Sequence, residues 1–581
     1  MSINKLFYAM VISFSTALYA GFSEQQALRR IDDHLLLKDY HSAVEEGKSF
    51  ADVYPTSQAL KIAYIKSLCA IGDENESFIE FKKLSELIGG NASDRYLFES
   101  LAWGVLNKGE ESSLLTIRLY SLLGAAFTQD ARAIPVLLKE LRSSNAILRS
   151  LAVKIASSYG DAPLQEALLK MLRQEKVWYV KLEVIQAIGR LGLSRAIPLL
   201  KEIVASSRTL TEEKAASLIA LVSMYDNLED VEFLTLIRSN RAGLRELACD
   251  LVAHLGKTDK SSHMISLLGD PCPAVRMAAL NTLGLLGKQN IDGVDLRGKV
   301  ANLFDDPSPP VAITAAWLST VFHWPEGCAN LARWIKQDNT EWKRMASAAL
   351  ASSGSYGSSH SLQILQGEQD PFVRANLSLG LIGQRQGVDQ ASKILFDFLI
   401  HHGHDLWMWD SQYNSLFKSL APSRVRHIDQ IPRYPSVVDQ HVKLDLLSFL
   451  HVIGHPRALD VVKSFLNHQD WGVSASAAST LLQEGDDQSL VLVRELLSDS
   501  DEKIRVQAAL MLAMMGSDPE AVQTLEEAYF KVDREMKMYI IEALGRIGDQ
   551  RSISFLFGVL QDPFQVLRVV AASALIQCIY H

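Results

Sequence analysis

A 13-residue pattern occurs thirteen times in this chain, and it constrains the fold more than any other feature of the sequence. One clear copy, Val275 to Gly287, reads VRMAALNTLGLLG, with an apolar residue first, a basic residue second and glycine last. Successive copies begin 31 to 36 residues apart, except for one gap of 69 residues. Such a fixed period predicts an array of similar structural units. The copies begin at Leu148, Val180, Glu213, Leu244, Val275, Val311, Trp342, Val373, Val442, Val473, Ile504, Met536 and Leu567.

The pattern is that of a helix with one buried face. Positions one, five and nine are mostly apolar or small, and their spacing of four residues places them on one side of a helix. Glycine at position thirteen suits the left-handed residue that ends a helix. A second apolar segment separates the copies, as in AIPVLLKEL at 133–141. Each unit is therefore a pair of helices that must stack on its neighbours to bury its apolar face. We predict an all-α fold, an α-α superhelix of about 13–14 helical pairs.

Position two of the pattern is Lys or Arg in eleven of the thirteen copies. It recurs too regularly for a catalytic group, and we interpret it as a structural ladder. Each cation would pair with an acidic residue or a helix carbonyl of its own or the neighbouring unit. The alternative is a row of cations that binds an acidic partner, which would show salt-dependent affinity. The ladder residues include Arg149, Lys181, Arg245, Arg276, Arg374, Arg505, Lys537 and Arg568.

The apolar-basic opening, the small residues, the Leu-x3-Gly ending and the Asp-Pro pairs before several copies together resemble HEAT repeats. They look most like the short variety also found in phycobilisome lyases. The resemblance covers about residues 130–402 and 442–581, and it implies a HEAT/armadillo-type solenoid with little indication of function. HEAT-repeat enzymes similar to deoxyhypusine hydroxylase carry repeated His-Glu pairs for a di-iron site, whereas no histidine here precedes a glutamate. We find no catalytic constellation and predict no enzymatic activity.

The first twenty residues are typical of a secretory signal peptide. Lys5 precedes an apolar stretch from Leu6 to Leu18, and Ala20 stands at a cleavage position. The alternative is a buried N-terminal helix. No later stretch approaches the length of apolar sequence that a membrane span needs. We therefore expect a chain that is exported to the periplasm or secreted, without stable membrane insertion after cleavage.

Residues 21–125 do not keep the repeat but still read as helical pairs. Tyr40, Ala43 and Pro55, with the alanine-containing helix that follows, make this region similar to a tetratricopeptide repeat (TPR). We predict a TPR-like helical cap that covers the first HEAT unit, because terminal repeats need a polar outer face. The domains that follow are HEAT repeats at 126–402, an irregular segment at 403–441 and further HEAT repeats at 442–581.

Segment 403–441 fills the long gap between copies and is predicted to be a degenerate repeat with a protruding loop. We place a helix near Asp405–Leu420 and a loop at Ala421–Ser436, which holds three prolines. Long loops in compact arrays are often functional, and a tolerated surface insertion is the alternative. The candidate partner-binding residues of this segment are Trp407, Trp409, Arg424, Arg426, Arg433 and Tyr434.

Two further clusters are candidate sites. Trp317, Trp324, Trp334 and Trp342 lie in two successive repeats, and tryptophan is enriched in binding hot spots; ordinary core packing is the alternative. His401, His402 and His404 are weak metal-ligand candidates by composition, against a solvated loop. We predict no cofactor.

The net charge of the chain argues against nucleic acid as its partner. A net charge of −9 opposes a broad nucleic-acid-binding surface. The chain has an odd number of cysteines, five, and none of their spacings is typical of a metal site. We therefore expect a scaffold or adaptor that binds a protein or peptide partner on the solenoid surface. The alternative is a lyase-type chaperone or enzyme that holds a small ligand or chromophore in the solenoid curve.

Overall fold

The structure is a computed structural model that describes residues 21–88, 94–291, 293–401, 407–410, 415–418, 434–465, 477, 491, 493–498, 502–513 and 518–580. Helices make up nearly all of the secondary structure, which confirms the all-α prediction. The chain divides into two compact units: residues 1–143 with 487–581 form the first, and residues 144–486 form the second. The proposed signal peptide at 1–20 lies outside the described residues. Within the described ranges, no helix is long and apolar enough to span a membrane.

The first unit begins with seven helices. Ser23, Asp39, Ser57 and Asp73 each accept a backbone N–H bond at a helix start, which fixes where four of these helices begin. The helices are α1 (Glu24–Leu36), α2 (Tyr40–Val53), α3 (Gln58–Ala70), α4 (Glu74–Leu87), α5 (Arg95–Glu110), α6 (Leu115–Phe127) and α7 (Ala133–Glu140).

In the second unit, helices that carry the 13-residue pattern alternate with intervening helices. We call the former motif helices; they have even numbers from α8 to α24. In chain order the elements are α8 (Ala146–Tyr159), α9 (Ala162–Gln174), α10 (Trp178–Arg190), α11 (Ile197–Ala205), α12 (Thr211–Met224), α13 (Asp230–Ile237), α14 (Ala242–His254), α15 (Ser261–Leu267), α16 (Pro273–Leu286), α17 (Leu296–Ala301), α18 (Pro309–Val321), α19 (Pro325–Ile335), α20 (Thr340–Ala351), α21 (Gly354–Leu365), α22 (Pro371–Gly383), α23 (Val388–His401), β1 (Trp407–Asp410), β2 (Ser415–Lys418), α24 (Tyr434–Val452) and α25 (Ala458–Ser464).

The second segment of the first unit continues the pattern. The copy that begins at Val473 lies outside the described residues, apart from Ala477. The copies at Ile504, Met536 and Leu567 all fall on helices. The helices of this segment are α26 (Glu502–Ala513), α27 (Pro519–Ala528), α28 (Arg534–Ile547), α29 (Ile553–Val559) and α30 (Gln565–Tyr580).

The motif helices stack because one side of each is buried. Consecutive motif helices from α8 to α22 pack against one another, and intervening helices pack along the row. Each fully buried aliphatic side chain contributes about 1.5–3 kcal/mol, so a repeated buried face stabilises the whole row. Gly160 and Gly287 end α8 and α16 in the left-handed conformation, with φ of +68° and +65°. The buried residues at positions one, five and nine of α8 and α10 are Leu148, Ala152, Ala156, Val180, Val184 and Ile188.

The prediction of a helix near Asp405–Leu420 is wrong, because the described residues of this segment form two antiparallel strands, which we call the hairpin. β1 pairs with β2, with Trp407 opposite Lys418 and Trp409 opposite Leu416. Successive residues of a strand alternate between its two faces, which gives a period of two instead of the 3.6 of a helix. Trp407 and Trp409 therefore belong to the same face of β1. Of the predicted loop Ala421–Ser436, residues 434–436 belong to α24 and the remainder lies outside the described residues.

In the first unit, helices from the beginning of the sequence pack against helices from its last part. α5 and α6 pack against α30, and α6 also contacts α7. Arg568 at position two of the last motif helix pairs with Glu74, with an Nε–Oε1 distance of 2.5 Å. The ring of Phe557 lies 4.5 Å from that of Phe98, centroid to centroid. The N-terminal region thus packs on the last motif helix, in addition to its contact with α7.

Candidate binding surface on the motif helices

The basic residue at position two forms ion pairs between neighbouring repeats. In the second unit its partner lies just before, or at the start of, the following motif sequence. These pairs are largely shielded from solvent: the side chains of Arg276 and Asp306 are 10% and 5% exposed. The N–O distances are 2.8 Å for Arg149–Glu175, 2.8 Å for Lys181–Glu213, 2.6 Å for Arg245–Asp270 and 2.7 Å for Arg276–Asp306.

The arginines of this ladder also bind backbone. Arg245 donates to the carbonyl of Ser239 at 2.8 Å, and Arg276 donates to that of Asp270 at 2.8 Å. Each therefore ties the turn before its own helix to an acid of the next repeat. Asp270 has a second task, since its Oδ1 accepts the N–H of Cys272 at 2.8 Å. The Asp of an Asp-Pro pair thus serves the ladder and orders the start of the next motif helix.

The remaining ladder residues have other surroundings. Arg374 donates to the carbonyl of Glu368 at 3.1 Å. Lys537 lies over the ring of Tyr529, 4.7 Å from its centroid. Arg505 lies in α26.

Positions seven and eleven of the pattern are four residues apart and form a second face of the motif helices, which the ladder does not use. We call the strip of these positions along α8 to α18 the open face. Position seven is exposed or half-buried in all six helices, in contrast to the buried positions one, five and nine. The position-seven residues are Lys154, Gln186, Ile219, Asp250, Asn281 and Trp317.

The chemistry of the open face changes in blocks along the row. Lys154 of α8 and Arg190 of α10 make it basic at one end, and neither forms an ion pair with any residue that the structure describes. Ile219 of α12 and Leu285 of α16 are 72% and 71% exposed. Between them α14 presents Asp250.

Asp250 has an unusual electrostatic environment. Burial, together with the smaller effect of the charge of Glu246 one turn earlier, raises the pKa of its carboxyl from 3.8 to about 7. The pKa of Glu246 is also raised by burial, while Lys214 opposes that rise. No hydrogen bond or ion pair from a described residue compensates Asp250. The carboxylate of Asp250 is therefore available to bind a cation.

Of the four clustered tryptophans, Trp317 alone lies on the open face. Its ring packs against Gly284 of α16 so closely that a Cβ there would lie 2.7 Å from ring atoms. The indole nitrogens of Trp317 and Trp334 are buried without a hydrogen-bond partner among the described residues. Trp324 precedes α19 with its ring edge-on to Phe322, and Trp342 lies in the first turn of α20. The tryptophans thus do not form one common surface.

At α20 and α22 the strip of position-seven residues is buried. Ala348 and Leu379 are 6% and 1% exposed. Strand β2 packs against both helices, and β1 packs against α24. Trp407 and Trp409 belong to β1. Tyr434 begins α24, whereas Arg424, Arg426 and Arg433 lie outside the described residues.

Of the three histidines of the candidate metal cluster, the structure describes His401. His401 ends α23, and its Nδ1 lies 2.8 Å from the carbonyl oxygen of Asp397. His402 and His404 lie outside the described residues. Among the residues that are described, no group of three or more His, Cys, Asp or Glu side chains is arranged to hold a metal ion. All five cysteines are unpaired.

Sequence reasoning missed Ile219, Asp250 and Leu285, the residues that define the open face. Their signal was present in the alignment of the copies, since they occupy the recurrent positions seven and eleven. Those positions vary from copy to copy, whereas positions two, nine and thirteen recur. Variation at a fixed exposed position was the signal that could have identified this strip.

Comparison with known sequences identifies the repeat. Residues 134–221 and 490–576 match a family described as HEAT repeats, and residues 262–289 match the HEAT repeat family. No protein of curated function matches the chain. Together with the stacked helical pairs, these matches show an all-α HEAT-repeat solenoid.

Solved structures with similar folds include karyopherins. The chain is similar to the karyopherin Kap121p bound to the extreme C-terminus of the protein phosphatase Cdc14p, at 14% identity and a TM-score of 0.39, over 98% of this chain and 72% of that one. For Kap121p bound to Pho4p the values are 13% and 0.39, over 93% and 64%. For the Kap95:Nup1 complex they are 11% and 0.31, over 92% and 75%.

Proposed function

We propose that this HEAT-repeat chain is a non-enzymatic scaffold that binds an extended segment of a protein partner along the open face of α8 to α18. One observation carries the proposal: the strip is basic at Lys154 and Arg190, then apolar at Ile219, acidic at Asp250 and apolar at Leu285. Stacked helical repeats present such strips as extended binding surfaces. Ile219 and Leu285, at 72% and 71% exposed, are the large aliphatic side chains that such a strip offers to a partner.

The order of the blocks specifies the partner. Packed helices lie about 8–10 Å apart, and an extended chain rises about 3.3 Å per residue. One helix therefore corresponds to about three residues of the partner. The expected segment places an acidic residue opposite Arg190, an aliphatic residue opposite Ile219, a basic residue opposite Asp250 and an aliphatic residue opposite Leu285.

The ladder supports this assignment because it argues against the alternative, a row of position-two cations that binds an acidic partner. Arg149, Arg245 and Arg276 are already bound to Glu175, Asp270 and Asp306, so these arginines are not free to bind an acidic partner. Lys154 and Arg190 have no such partners among the described residues. Salt-dependent binding would therefore come from the open face.

We also propose that the scaffold works outside the cytoplasm. The support is the sequence of residues 1–20, with Lys5 before an apolar stretch and Ala20 at the cleavage position. N-terminal sequencing of the protein from its source cell tests this point: a chain that starts near residue 21 supports export, and a chain that starts at Met1 contradicts it.

The binding proposal is tested by capture from the envelope fraction of the source cell with the immobilised mature chain. We expect one protein to be retained in stoichiometric amount and eluted by raised salt. The double variant Ile219→Asp with Leu285→Asp should lose it, because two exposed apolar side chains that would contact the partner become charged.

The matched control is Val231→Asp. Val231 is 77% exposed on the intervening helix α13, outside the open face, so this change adds a charge without touching the surface. Retention by the control and loss by the double variant support the proposal. Equal retention by both variants contradicts it.

A further inference from the structure

The first unit contains a cleft that the proposed function does not use. It has a volume of about 410 Å³ and lies between α6, α28 and α30. That volume is within the range of pockets that bind small ligands or side chains, about 300–1,000 Å³. Its walls include Tyr120, Phe127, Glu542, Arg546, Gln577 and Tyr580.

The cleft exists because the two ends of the chain pack together. Gly124 in α6 allows α30 to approach, since a Cβ there would lie 2.9 Å from Leu106 and 3.3 Å from Ser573. Ser573 donates a hydrogen bond to the carbonyl of Gly124 at 3.1 Å. At the end of α30, the hydroxyl of Tyr580 donates to Glu99 at 2.7 Å. These contacts hold two of the three walls in register.

Glu542 is an acid without a partner in this cleft. It accepts no hydrogen bond and forms no ion pair with any residue that the structure describes. Burial raises its pKa, and Arg546 one turn later opposes the rise only as the smaller effect. The pKa of Tyr120 is raised by burial and then by the charge of Glu542, so the two groups face the same space.

We propose that this cleft binds the ammonium or guanidinium group of a lysine or arginine side chain from a partner protein. The carboxylate of Glu542 would pair with the cation, as a charge-assisted hydrogen bond. The rings of Tyr120 and Phe127 border the cleft and would contact the methylene stem or the cation face-on. Gln577 offers an amide to the backbone of the bound segment.

Other occupants fit the cleft less well. An anion would be repelled by the carboxylate of Glu542, which the exposed Arg546 offsets only in part. A metal ion would find one carboxylate, and no described group of three ligands lies there. Arg546 is exposed and does not close onto Glu542, so it competes with the ligand instead of filling its place.

Saturation-transfer NMR on the full chain tests the site with two small probes that share a four-carbon side chain and differ in its terminal ammonium group. Nα-acetyl-lysine methylamide carries the ammonium group, and Nα-acetyl-norleucine methylamide lacks it. We expect the lysine probe to bind at least fivefold more tightly. Glu542→Gln should abolish that preference, and Arg546→Gln should increase it.

Glu45→Gln is the matched control, because it removes one negative charge from an exposed helix position and should leave the preference unchanged. Circular dichroism establishes that each variant is folded; Glu542→Gln removes a desolvated charge and should fold at least as stably. The proposal is overturned if both probes bind equally, or if Glu542→Gln keeps the preference for lysine. These outcomes are independent of the open face, because Ile219→Asp and Leu285→Asp leave this cleft unchanged.

Discussion

Replacement of Asp250 by asparagine should stabilise the protein above neutral pH and leave it unchanged in acid. The folded-state pKa of this carboxyl is about 7, against an ordinary value of 3.8, and the cause is burial on the open face. The unfolded chain therefore loses the proton near pH 4, whereas the folded protein keeps it until about pH 7. The stability that comes from this raised pKa is complete below pH 4 and is lost as pH rises through 7.

The size of the pKa shift of Asp250 gives the size of the expected change in the free energy of unfolding. About three pKa units at 1.36 kcal/mol each give an upper bound of about 4 kcal/mol. The side chain keeps some exposure, so screening by water reduces the expected difference at pH 8 to about 2 kcal/mol. Asparagine has nearly the same shape and no charge, so it avoids this cost at every pH.

Urea unfolding of the wild type and Asp250→Asn at pH 4, 6 and 8 measures the difference, with other titrating groups common to both chains. The variant should equal the wild type at pH 4 and exceed it by about 2 kcal/mol at pH 8. Asp226→Asn, at an exposed position, should show no such trend. A variant that is less stable at pH 8, or a difference that does not change with pH, would refute the reasoning.

Three further predictions follow from the contacts. Arg276→Ala should cost about 3 kcal/mol in urea unfolding because it leaves a buried acid unpaired, whereas Arg297→Ala, which breaks an exposed pair, should cost less than about 1 kcal/mol; equal costs would contradict the ladder. Phe557→Ala should cost about 2 kcal/mol and speed amide exchange in α4 and α5, and unchanged exchange there would argue against the packing of these helices on the last part of the chain. Gly124→Val should cost about 1–3 kcal/mol and weaken binding of the lysine probe, and intact binding would show that the close approach of α6 and α30 does not form the cleft.

The sequence predicted what depends on local spacing. The positions of the motif helices follow from the apolar residues at positions one, five and nine and from the glycine that ends them. The ladder was expected to pair with an acid or a helix carbonyl, and Asp-Pro pairs were noted before several copies. That Asp270 both accepts the N–H of Cys272, just before α16, and binds Arg245 required the stacked geometry, because the two partners approach from different repeats.

The rest depends on contacts that leave no local signal. Arg568 pairs with Glu74, and Ser573 bonds to Gly124, across more than 440 residues of chain. No periodicity connects such residues, so the packing of the N-terminal helices on α30 could not be read from either end. The strand pair at 407–410 and 415–418 was mistaken for a helix because an expected repeat was assumed in the gap.

Site-specific photocrosslinking in the source cell tests the central claim most directly. A photoreactive phenylalanine analogue at position 219 lies on the open face, and the same analogue at position 231 lies on an intervening helix with similar exposure. The account predicts one discrete protein adduct from position 219 and none from position 231. The absence of an adduct at 219, or the same adduct at both positions, would contradict it.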